Sequence, residues 1–290
     1  MIDSHFHLHE DIISIQGLMD SMDMHGIQKV CLMPSFCPKL YLHDYVHKII
    51  PFLRSLLLSK NFVLKKAGLF FYNTCIKNGS EINLFGKNYK LDIQPDNNIL
   101  CKQINLYSDR FYGFIFVNPK GPINPIDEVK KYDSPNIIGV KAHPFWHKYP
   151  VSDLIEVAEF CSKNKLIFLI HLGINECGNY KILPELFPEL KIIYAHAGTP
   201  YYTDVCSFAK TSKNVYVDIS CSLYVDENII KKAISIAGIE KCIFGTDGPY
   251  FHVKNNIFDY SFFIDNIKKL NLEQNEYNLL VKENLYKLLP

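Results

Sequence analysis

The stretch Leu166-Ile167-Phe168-Leu169-Ile170-His171 is a run of five apolar residues that ends in a histidine. An apolar run of this length without polar alternation is typical of a parallel strand that is buried on both faces. Similar runs predict eight strands, at about residues 2–7, 28–33, 111–118, 137–143, 166–171, 191–196, 215–220 and 242–246. Because helical patterns separate these runs, we predict an α/β fold built from βαβ units. Eight units in 290 residues favour a (β/α)8 TIM barrel over an open, doubly wound sheet.

The connection between the second and third predicted strands is unusually long, at about 77 residues, whereas the last five strands begin about 25 residues apart. We therefore predict a single domain, residues 1–290, with a lid-like insertion at about 36–96. A helical stretch at 49–58 and a β-excursion near 79–90 are expected within it. The insertion has nine Lys or Arg and four Asp or Glu, a balance of +5, which leaves −4 for the rest of the chain. This charge indicates an anionic substrate, although ordinary surface lysines explain the same count.

The composition excludes several classes of protein. With 31 Lys and Arg against 30 Asp and Glu, the chain lacks the basic excess that nucleic-acid or anionic-membrane binding requires. Nine cysteines without a C-x-x-C pair argue against a disulfide framework and against a structural zinc site. No apolar run approaches the ~18 residues of a spanning helix, and the first residues lack the pattern of a signal peptide. We expect a cytoplasmic protein with neither a nucleic-acid nor a membrane partner.

The strongest chemical signal is Asp3-Ser4-His5-Phe6-His7 in the first predicted strand. Residues two apart in a strand point to the same side, so His5 and His7 can both project into the mouth of a barrel and hold one ion. Asp3 shares their side one layer deeper, and we expect it to orient a histidine as a hydrogen-bond acceptor. Such a pair of histidines is weak evidence alone, because surface histidine pairs are common.

Three further strands end in the same way. His171 ends strand 5, His196 ends strand 6, and Asp247 follows strand 8. A single histidine at a strand end is more often structural, but five metal-capable groups at the ends of four strands indicate a shared function. Imidazole and carboxylate ligands with an open position are typical of catalytic zinc or a related divalent ion.

These motifs together resemble the amidohydrolase superfamily. The resemblance rests on the D-x-H-x-H pattern of strand 1, on Ile-Tyr-Ala-His-Ala-Gly at 193–198, on Phe-Gly-Thr-Asp-Gly-Pro at 244–249 and on Gly-Val-Lys-Ala-His-Pro at 139–144. The sequences of these motifs are most similar to those of the amidohydrolase-related branch that includes aminocarboxymuconate semialdehyde decarboxylase. The resemblance covers the chain outside 36–96, and it is specific for the superfamily but not for the substrate.

The resemblance implies a role for each matching residue. The ligands of a tightly held ion, which we expect to be Zn²⁺, match His5, His7, His171 and Asp247. Asp247 and His196 match the catalytic residues, and in binuclear members the strand-6 histidine binds a second ion. Lys141 matches the lysine that becomes a bridging carbamate in such members, so two ions are expected if it is carboxylated and one if it only pairs with a carboxylate or substrate. A homodimer is also an expectation from the resemblance.

The predicted reaction is hydrolysis of a C–N or C–O bond, in an amide, cyclic amide or lactone, by metal-activated water. Asp247 would accept the proton of the water, and His196 would donate to the carbonyl oxygen or leave that work to a second ion. Non-oxidative decarboxylation of a small carboxylic acid is the alternative, because it uses the same ligands. A binding protein with a vestigial site is the third reading, and intact ligand positions argue against it.

Residues that contact the small-molecule substrate are harder to predict. Arg54 interrupts the apolar helical stretch of the insertion and is the best candidate for binding a substrate carboxylate. His143 shares the inward side of Lys141, and Trp146 follows strand 4, so both are predicted to border the pocket, although a packing role explains Trp146 better.

Overall fold

The computed structural model describes residues 1–39, 46–84 and 86–290, and at 46–48 and 50 it describes the backbone only. Its largest sheet has eight parallel strands that are neighbours in chain order. All eight predicted strands are confirmed, as β1 (Ile2–Leu8), β2 (Lys29–Pro34), β3 (Phe111–Phe116), β4 (Ile137–Ala142), β5 (Ile167–Ile170), β6 (Ile192–Tyr194), β7 (Val215–Asp218) and β8 (Cys242–Ile243). The predicted α/β class is therefore correct.

The sheet curls so that the segment after its last strand lies beside its first strand. The backbone N–H of Ser4 donates to the carbonyl of Phe244 over 3.1 Å, that of Asp247 donates to His5 over 2.8 Å, and that of His7 donates to Gly248 over 2.7 Å. The segment that follows β8 thus runs beside β1. This contact brings the ends of the two strands together at the carboxyl edge of the sheet.

Helices separate the strands of the sheet. They are α1 (Ile15–His25), α2 (Val46–Leu57), α3 (Phe62–Cys75), α4 (Asn97–Leu106), α5 (Pro125–Lys130), α6 (Pro144–His147), α7 (Ile155–Lys163), α8 (Ile182–Leu186), α9 (Tyr202–Thr211), α10 (Glu227–Ala237), α11 (Ser261–Lys268), α12 (Gln274–Asn278) and α13 (Asn284–Tyr286). Short 3-10 turns lie at Val151–Leu154, Asn175–Gly178, His196–Gly198 and Ile239–Lys241, a π-helical turn at Leu279–Glu283, and a small antiparallel pair at Val253–Lys254 and Ile257–Phe258. No helix in these described ranges is both long and apolar enough to cross a membrane.

Alternate residues of the strands face two different cores. In β5, Phe168 and Ile170 belong to the large core under the helices, whereas Ile167 and Leu169 belong to a second core that joins residues across the curled sheet. Because side chains alternate along a strand, His171 continues on the side of Ile167 and Leu169. The histidine at the end of β5 therefore points toward the axis of the curled sheet.

Two helices and a small sheet lie between β2 and α4. The predicted helical stretch is confirmed by α2, which is followed by α3, and the β-excursion is confirmed as a three-stranded antiparallel sheet (Ile76–Lys77, Glu81–Leu84, Lys87–Lys90). We call α2 and α3 the helical hairpin. Its helices approach closely at Gly68, where a Cβ atom would lie 2.7 Å from the backbone nitrogen of Leu57.

The helical hairpin packs on the carboxyl edge of the large sheet. The hydroxyl of Tyr72 in α3 donates to the carbonyl of Phe145, and Nζ of Lys148 donates to the carbonyl of Ile76 over 2.6 Å. Both partners lie in the connection that follows β4. These contacts place the hairpin on the same edge as the polar ends of the strands.

Candidate metal centre

Three of the predicted ligands converge at the edge where β1 meets the end of β8. Nε2 of His5 and Nε2 of His7 each lie 3.3 Å from Oδ1 of Asp247. The three atoms lie within 4.8 Å of one another, which is the spacing of groups that can share one ion. The two histidines are buried, and Asp247 is 14% exposed and borders a cavity.

The N–H of His5 points away from the shared space, because Nδ1 of His5 donates to Oδ2 of Asp218 over 2.9 Å. A neutral imidazole carries one N–H, so Nε2 of His5 presents a lone pair toward Asp247. His7 faces the carbonyl of Pro34 through Nδ1 at 3.4 Å and Asp247 through Nε2 at 3.3 Å. The two Nε2 atoms and the carboxylate oxygen are close enough to share one cation. This donor set, two imidazoles and a carboxylate, fits a divalent cation such as Zn²⁺.

His171 and His196 border the same cavity. The ring of His171 lies 4.4 Å from that of His196, and Nε2 of His196 lies 3.9 Å from Oδ2 of Asp247. Nε2 of His171 is buried and has no hydrogen-bond partner among the residues that the structure describes. A buried nitrogen without a partner is rare and calls for a ligand. His171 is not one of the three closely spaced groups, His5, His7 and Asp247. Its unpaired nitrogen is nevertheless consistent with the predicted role as a metal ligand.

Burial controls the protonation of the cluster. It lowers the pKa of His5, His7 and His171 and lowers that of His196 to about 4, so these rings are neutral near pH 7. Burial alone raises the pKa of Asp247, but the surrounding imidazoles outweigh it and hold the pKa below its ordinary value. Neutral imidazoles and an ionised carboxylate are the forms that bind metal.

The end of β7 supplies a residue that the sequence analysis missed. Oδ2 of Asp218 accepts from His5, while Oδ1 accepts from the backbone N–H of His196 over 2.8 Å and from the hydroxyl of Ser220. Asp218 therefore sets the tautomer of one predicted ligand and positions another residue of the cluster. The sequence does indicate Asp218, because this carboxylate directly follows the apolar run Val-Tyr-Val at 215–217.

The hydroxyl of Ser220 also determines what His196 can do. Because that hydroxyl donates to Asp218, its oxygen accepts from Nδ1 of His196, 2.8 Å away. Nε2 of a neutral His196 then carries a lone pair and faces Asp247. A neutral His196 therefore has no hydrogen on Nε2 and cannot make the expected donation from this atom to a substrate carbonyl oxygen. This atom can instead accept a proton or bind a metal ion.

Asp3 does not orient a histidine ring, so that prediction is wrong. Its carboxylate accepts from the backbone N–H of His5 over 3.1 Å, and from the N–H and hydroxyl of Thr246 over 3.0 and 2.6 Å. The Asp3 side chain faces the neighbouring end of β8, whereas the ring of His5 turns toward β7. Asp3 thus joins β1 to the segment that carries Asp247.

The backbone turns sharply at three strand ends. After β6, β7 and β8, the φ angles of His196, Cys221 and Asp247 are 55°, 68° and 61°. Non-glycine residues adopt this left-handed region at a cost, and such residues cluster at functional sites. The same three residues form a compact group of metal-capable side chains.

Lys141 lies beside the cluster, as predicted. Its Nζ is buried 3.2 Å from Nε2 of His5, and burial lowers its pKa from 10.5 to about 8. A lower pKa increases the fraction of neutral amine, which is the form that reacts with CO₂. Whether Lys141 carries a carbamate or pairs with another group stays a prediction.

A cavity of about 190 Å³ opens above these groups. The predicted substrate contacts Arg54, His143 and Trp146 all line it, beneath a wall that includes Leu57 and Phe71 of the helical hairpin. Nδ1 of His143 accepts from the backbone N–H of Trp146 over 3.2 Å, so its Nε2 carries the hydrogen and can donate to a ligand. The volume lies below the ~300 Å³ at which sites for drug-sized ligands begin, which indicates a small substrate.

Arg54 is partly engaged within the protein. Nη2 donates to Asp226 over 2.8 Å and Nη1 donates to the carbonyl of Leu223 over 3.1 Å. Nε is buried and has no acceptor among the described residues. The pairing holds the helical hairpin to the connection after β7, and it leaves the buried N–H at Nε for another acceptor.

Asp218→Asn is expected to weaken metal binding by about 10- to 100-fold, the usual effect of losing a residue that orients a metal-binding histidine. The amide cannot accept the N–H of His5 as strongly as the carboxylate does. Titration with a fluorescent zinc chelator measures the dissociation constant. Asp204→Asn, at an exposed carboxylate in α9, is the control and should bind metal as the parent does. Unchanged affinity in Asp218→Asn contradicts this assignment.

A curled eight-stranded parallel sheet with histidines and a carboxylate at its carboxyl edge defines the class of metal-dependent barrel enzymes. A family model described as amidohydrolase matches residues 93–290, more than half of the chain. The chain therefore belongs to this amidohydrolase family, as the motifs predicted. A comparison with curated protein sequences gave no match.

Solved structures of the same architecture include both hydrolases and decarboxylases. A probable 2-pyrone-4,6-dicarboxylic acid hydrolase from Acinetobacter baumannii has a TM-score of 0.61 and 15% identity, over 99% of this chain and 98% of its own. The 5-carboxyvanillate decarboxylase of Sphingomonas paucimobilis has a TM-score of 0.56 and 13% identity, over 93% and 81%. An amidohydrolase from Burkholderia multivorans with bound zinc has a TM-score of 0.58 and 11% identity, over 100% and 99%. At these identities the likeness shows the fold alone.

Proposed function

We propose that the chain is a metal-dependent hydrolase that cleaves a C–N or C–O bond of a small, anionic substrate. The observation that carries the proposal is the convergence of Nε2 of His5 and Nε2 of His7 on one carboxylate oxygen of Asp247, each at 3.3 Å. The proposal takes the curled sheet to be a closed (β/α)8 barrel with residues 36–96 inserted after β2. The hydrogen bonds between β1 and the segment after β8 support that closure.

The proposed site holds one cation between the three converging groups and His171. When bound, a divalent cation such as Zn²⁺ supplies Lewis acidity, which polarises a substrate carbonyl and lowers the pKa of water. Lys141 lies close enough to the cluster to serve a second ion if it is carboxylated. The family contains a relative with bound zinc, which supports this choice of metal.

The residues of the chain divide the proton transfers between them. Asp247 is ionised and borders the cavity, so it accepts the proton of the attacking water and later returns it to the leaving group. Nε2 of His196 is a second acceptor on the same side. His143 presents an N–H that can hold the substrate oxygen as negative charge develops. Proton acceptors at the base of the cavity suit hydrolysis, because an attacking water must lose a proton.

The anionic part of the substrate is assigned to the wall of the cavity. The unpaired N–H at Nε of Arg54 is available to a carboxylate, and residues 36–96 carry the balance of +5 that attracts an anion. The apolar side chains around it exclude water from the bound substrate.

Decarboxylation of a small carboxylic acid is the second candidate. The specific observation in its favour is the apolar wall of Leu57, Phe71 and Phe145 above the cluster. A carboxylate that leaves water for such a wall is destabilised relative to neutral CO₂. Decarboxylases are also among the structural relatives.

One experiment separates these readings. Purified protein is loaded with Zn²⁺ or Mn²⁺, its metal content is measured by mass spectrometry, and small amides, cyclic amides, lactones and carboxylic acids are supplied. Hydrolysis predicts ring-opened acid or released amine without CO₂, whereas CO₂ without hydrolysis supports the second candidate. A content below about 0.2 ions per chain together with no turnover contradicts both and favours a vestigial site.

A further inference from the structure

The helical hairpin exposes an unusual concentration of apolar side chains. Among the residues that the structure describes, 13 large hydrophobic side chains are exposed, and six of them lie within residues 46–75. Three of the six are consecutive at the start of α3, as Phe62, Val63 and Leu64, with exposures of 69%, 71% and 46%. Phe52 and Phe70 are also exposed, one on each helix of the hairpin. A concentration of exposed apolar side chains, such as that at residues 62–64, marks a contact surface.

The tip of the hairpin combines this patch with positive charge. Residues 60–66 read Lys-Asn-Phe-Val-Leu-Lys-Lys, and all seven are exposed. The whole hairpin, residues 46–75, has five Lys or Arg and no Asp or Glu, although the complete chain has a net charge of only +1. Nζ of Lys66 lies 4.5 Å from the centre of the Phe62 ring, so charge and apolar surface are adjacent. Within the described residues, Lys60, Lys65 and Lys66 pair with no carboxylate.

We propose that the tip of the helical hairpin docks on an anionic lipid surface, with Phe62 and Val63 entering the boundary between headgroups and acyl chains. Lysines beside apolar side chains are typical of segments that lie in a membrane interface. Each lysine near such a surface attracts anionic lipid. This proposal departs from the expectation of no membrane partner. That expectation rested on the balanced charge of the whole chain, which does not reveal the local excess of positive charge in the helical hairpin.

The rigidity of the hairpin suits this role. Asn61 caps α3, since its Oδ1 accepts from the backbone N–H groups of Val63 and Leu64 over 2.9 and 3.2 Å. The close approach at Gly68 and the pairing of Arg54 with Asp226 hold the helices in place. The apolar residues at the tip are therefore displayed by a fixed scaffold and need no rearrangement to reach a bilayer.

Charge argues against a second copy of the chain as the occupant. A symmetric dimer through the tip would bring Lys60, Lys65 and Lys66 of each copy together with no acidic residue of the hairpin to offset them. An anionic bilayer supplies the opposite charge. The apolar surface also continues inward, because Phe71 is 41% exposed and lines the cavity above the candidate metal centre.

Vesicle flotation with the full chain tests the docking surface. Vesicles of phosphatidylcholine with about 30% phosphatidylglycerol should bind the protein, and pure phosphatidylcholine vesicles should bind it weakly. The triple variant Lys60→Gln, Lys65→Gln, Lys66→Gln should reduce the partition coefficient by about 100-fold. Each lysine contributes a factor of about five, and the three factors multiply. Phe62→Ser with Val63→Ser should reduce it by more than about tenfold. High salt should weaken binding of the parent but not restore that of the variants.

Matched substitutions elsewhere provide the control. Lys163→Gln, Lys213→Gln and Lys231→Gln change the charge by the same amount at exposed lysines on other elements, and Leu186→Ser removes an apolar side chain that is 53% exposed. These variants should lose much less binding than the tip variants. Absence of binding to the anionic vesicles, or equal losses in tip and control variants, overturns the proposal. So does a dimer in sedimentation equilibrium that dissociates on Phe62→Ser, Val63→Ser while vesicles bind neither protein.

Discussion

Replacing Asp247 with asparagine is expected to reduce turnover by on the order of 10³-fold while leaving the fold unchanged. The carboxylate is the one ionised group that faces His5, His7 and His196 together, at distances of 3.3, 3.3 and 3.9 Å. Asparagine keeps the shape but cannot accept the proton of an attacking water. It also removes a negative charge from the proposed cation site. The rate on whichever substrate the screen described under Proposed function yields, measured under saturating conditions, gives the effect.

Asp204→Asn is the matched control for this experiment. It makes the same chemical change at an exposed position in α9, so its rate and thermal unfolding should equal those of the parent. Asp247→Asn should unfold at nearly the parental temperature once both proteins are metal-free. Parental turnover in Asp247→Asn would end the proposed mechanism, whatever the metal content.

His7→Ala is expected to lower the affinity for Zn²⁺ by on the order of 10²–10³-fold, because one of the four proposed ligands is lost from a site whose total binding energy is large. The ring borders the cavity, so its removal enlarges an existing space and does not open a new void in the core. The ion binds only the folded protein, so bound metal raises the unfolding temperature. EDTA should therefore lower the unfolding temperature of the parent and leave that of His7→Ala almost unchanged.

Metal content by mass spectrometry gives an independent measurement of the same effect. His25→Ala is the control, since His25 ends α1 and bonds to Ser21 away from the cluster. It should retain the metal and the response to EDTA of the parent. If His7→Ala retains both, His7 is not a ligand.

The strands and the polar residues at their ends could be predicted from the same pattern, an apolar run that ends in a polar residue. A buried parallel strand needs an unbroken apolar run, and a polar residue at the end of such a run must face either solvent or a site. His171 and Asp247 follow this rule, and so does Asp218, which was missed although its run is equally clear. Asp218 is neither a histidine nor part of a family motif, which were the two signals behind the other predicted site residues.

Other features depend on partners that are distant in the sequence. Arg54 was predicted to bind a substrate carboxylate, and the structure gives two of its donors to Asp226 and Leu223, which lie about 170 positions away. The direction of Ser220's hydroxyl, which decides the role of His196, depends on the curvature of the sheet. No periodicity in a single strand contains that information.

The cluster combines residues that are synthesised early, His5 and His7, with one that is synthesised late, Asp247. His5 and His7 leave the ribosome long before Asp247, and the hydrogen bonds that align them form only when the segment after β8 lies against β1. An assembling chain can thus form its parallel strands one by one and still lack the site that we propose for the ion. In this proposal metal capture follows the docking of the segment after β8, and a chain that stops short of β8 has the histidines without Asp247.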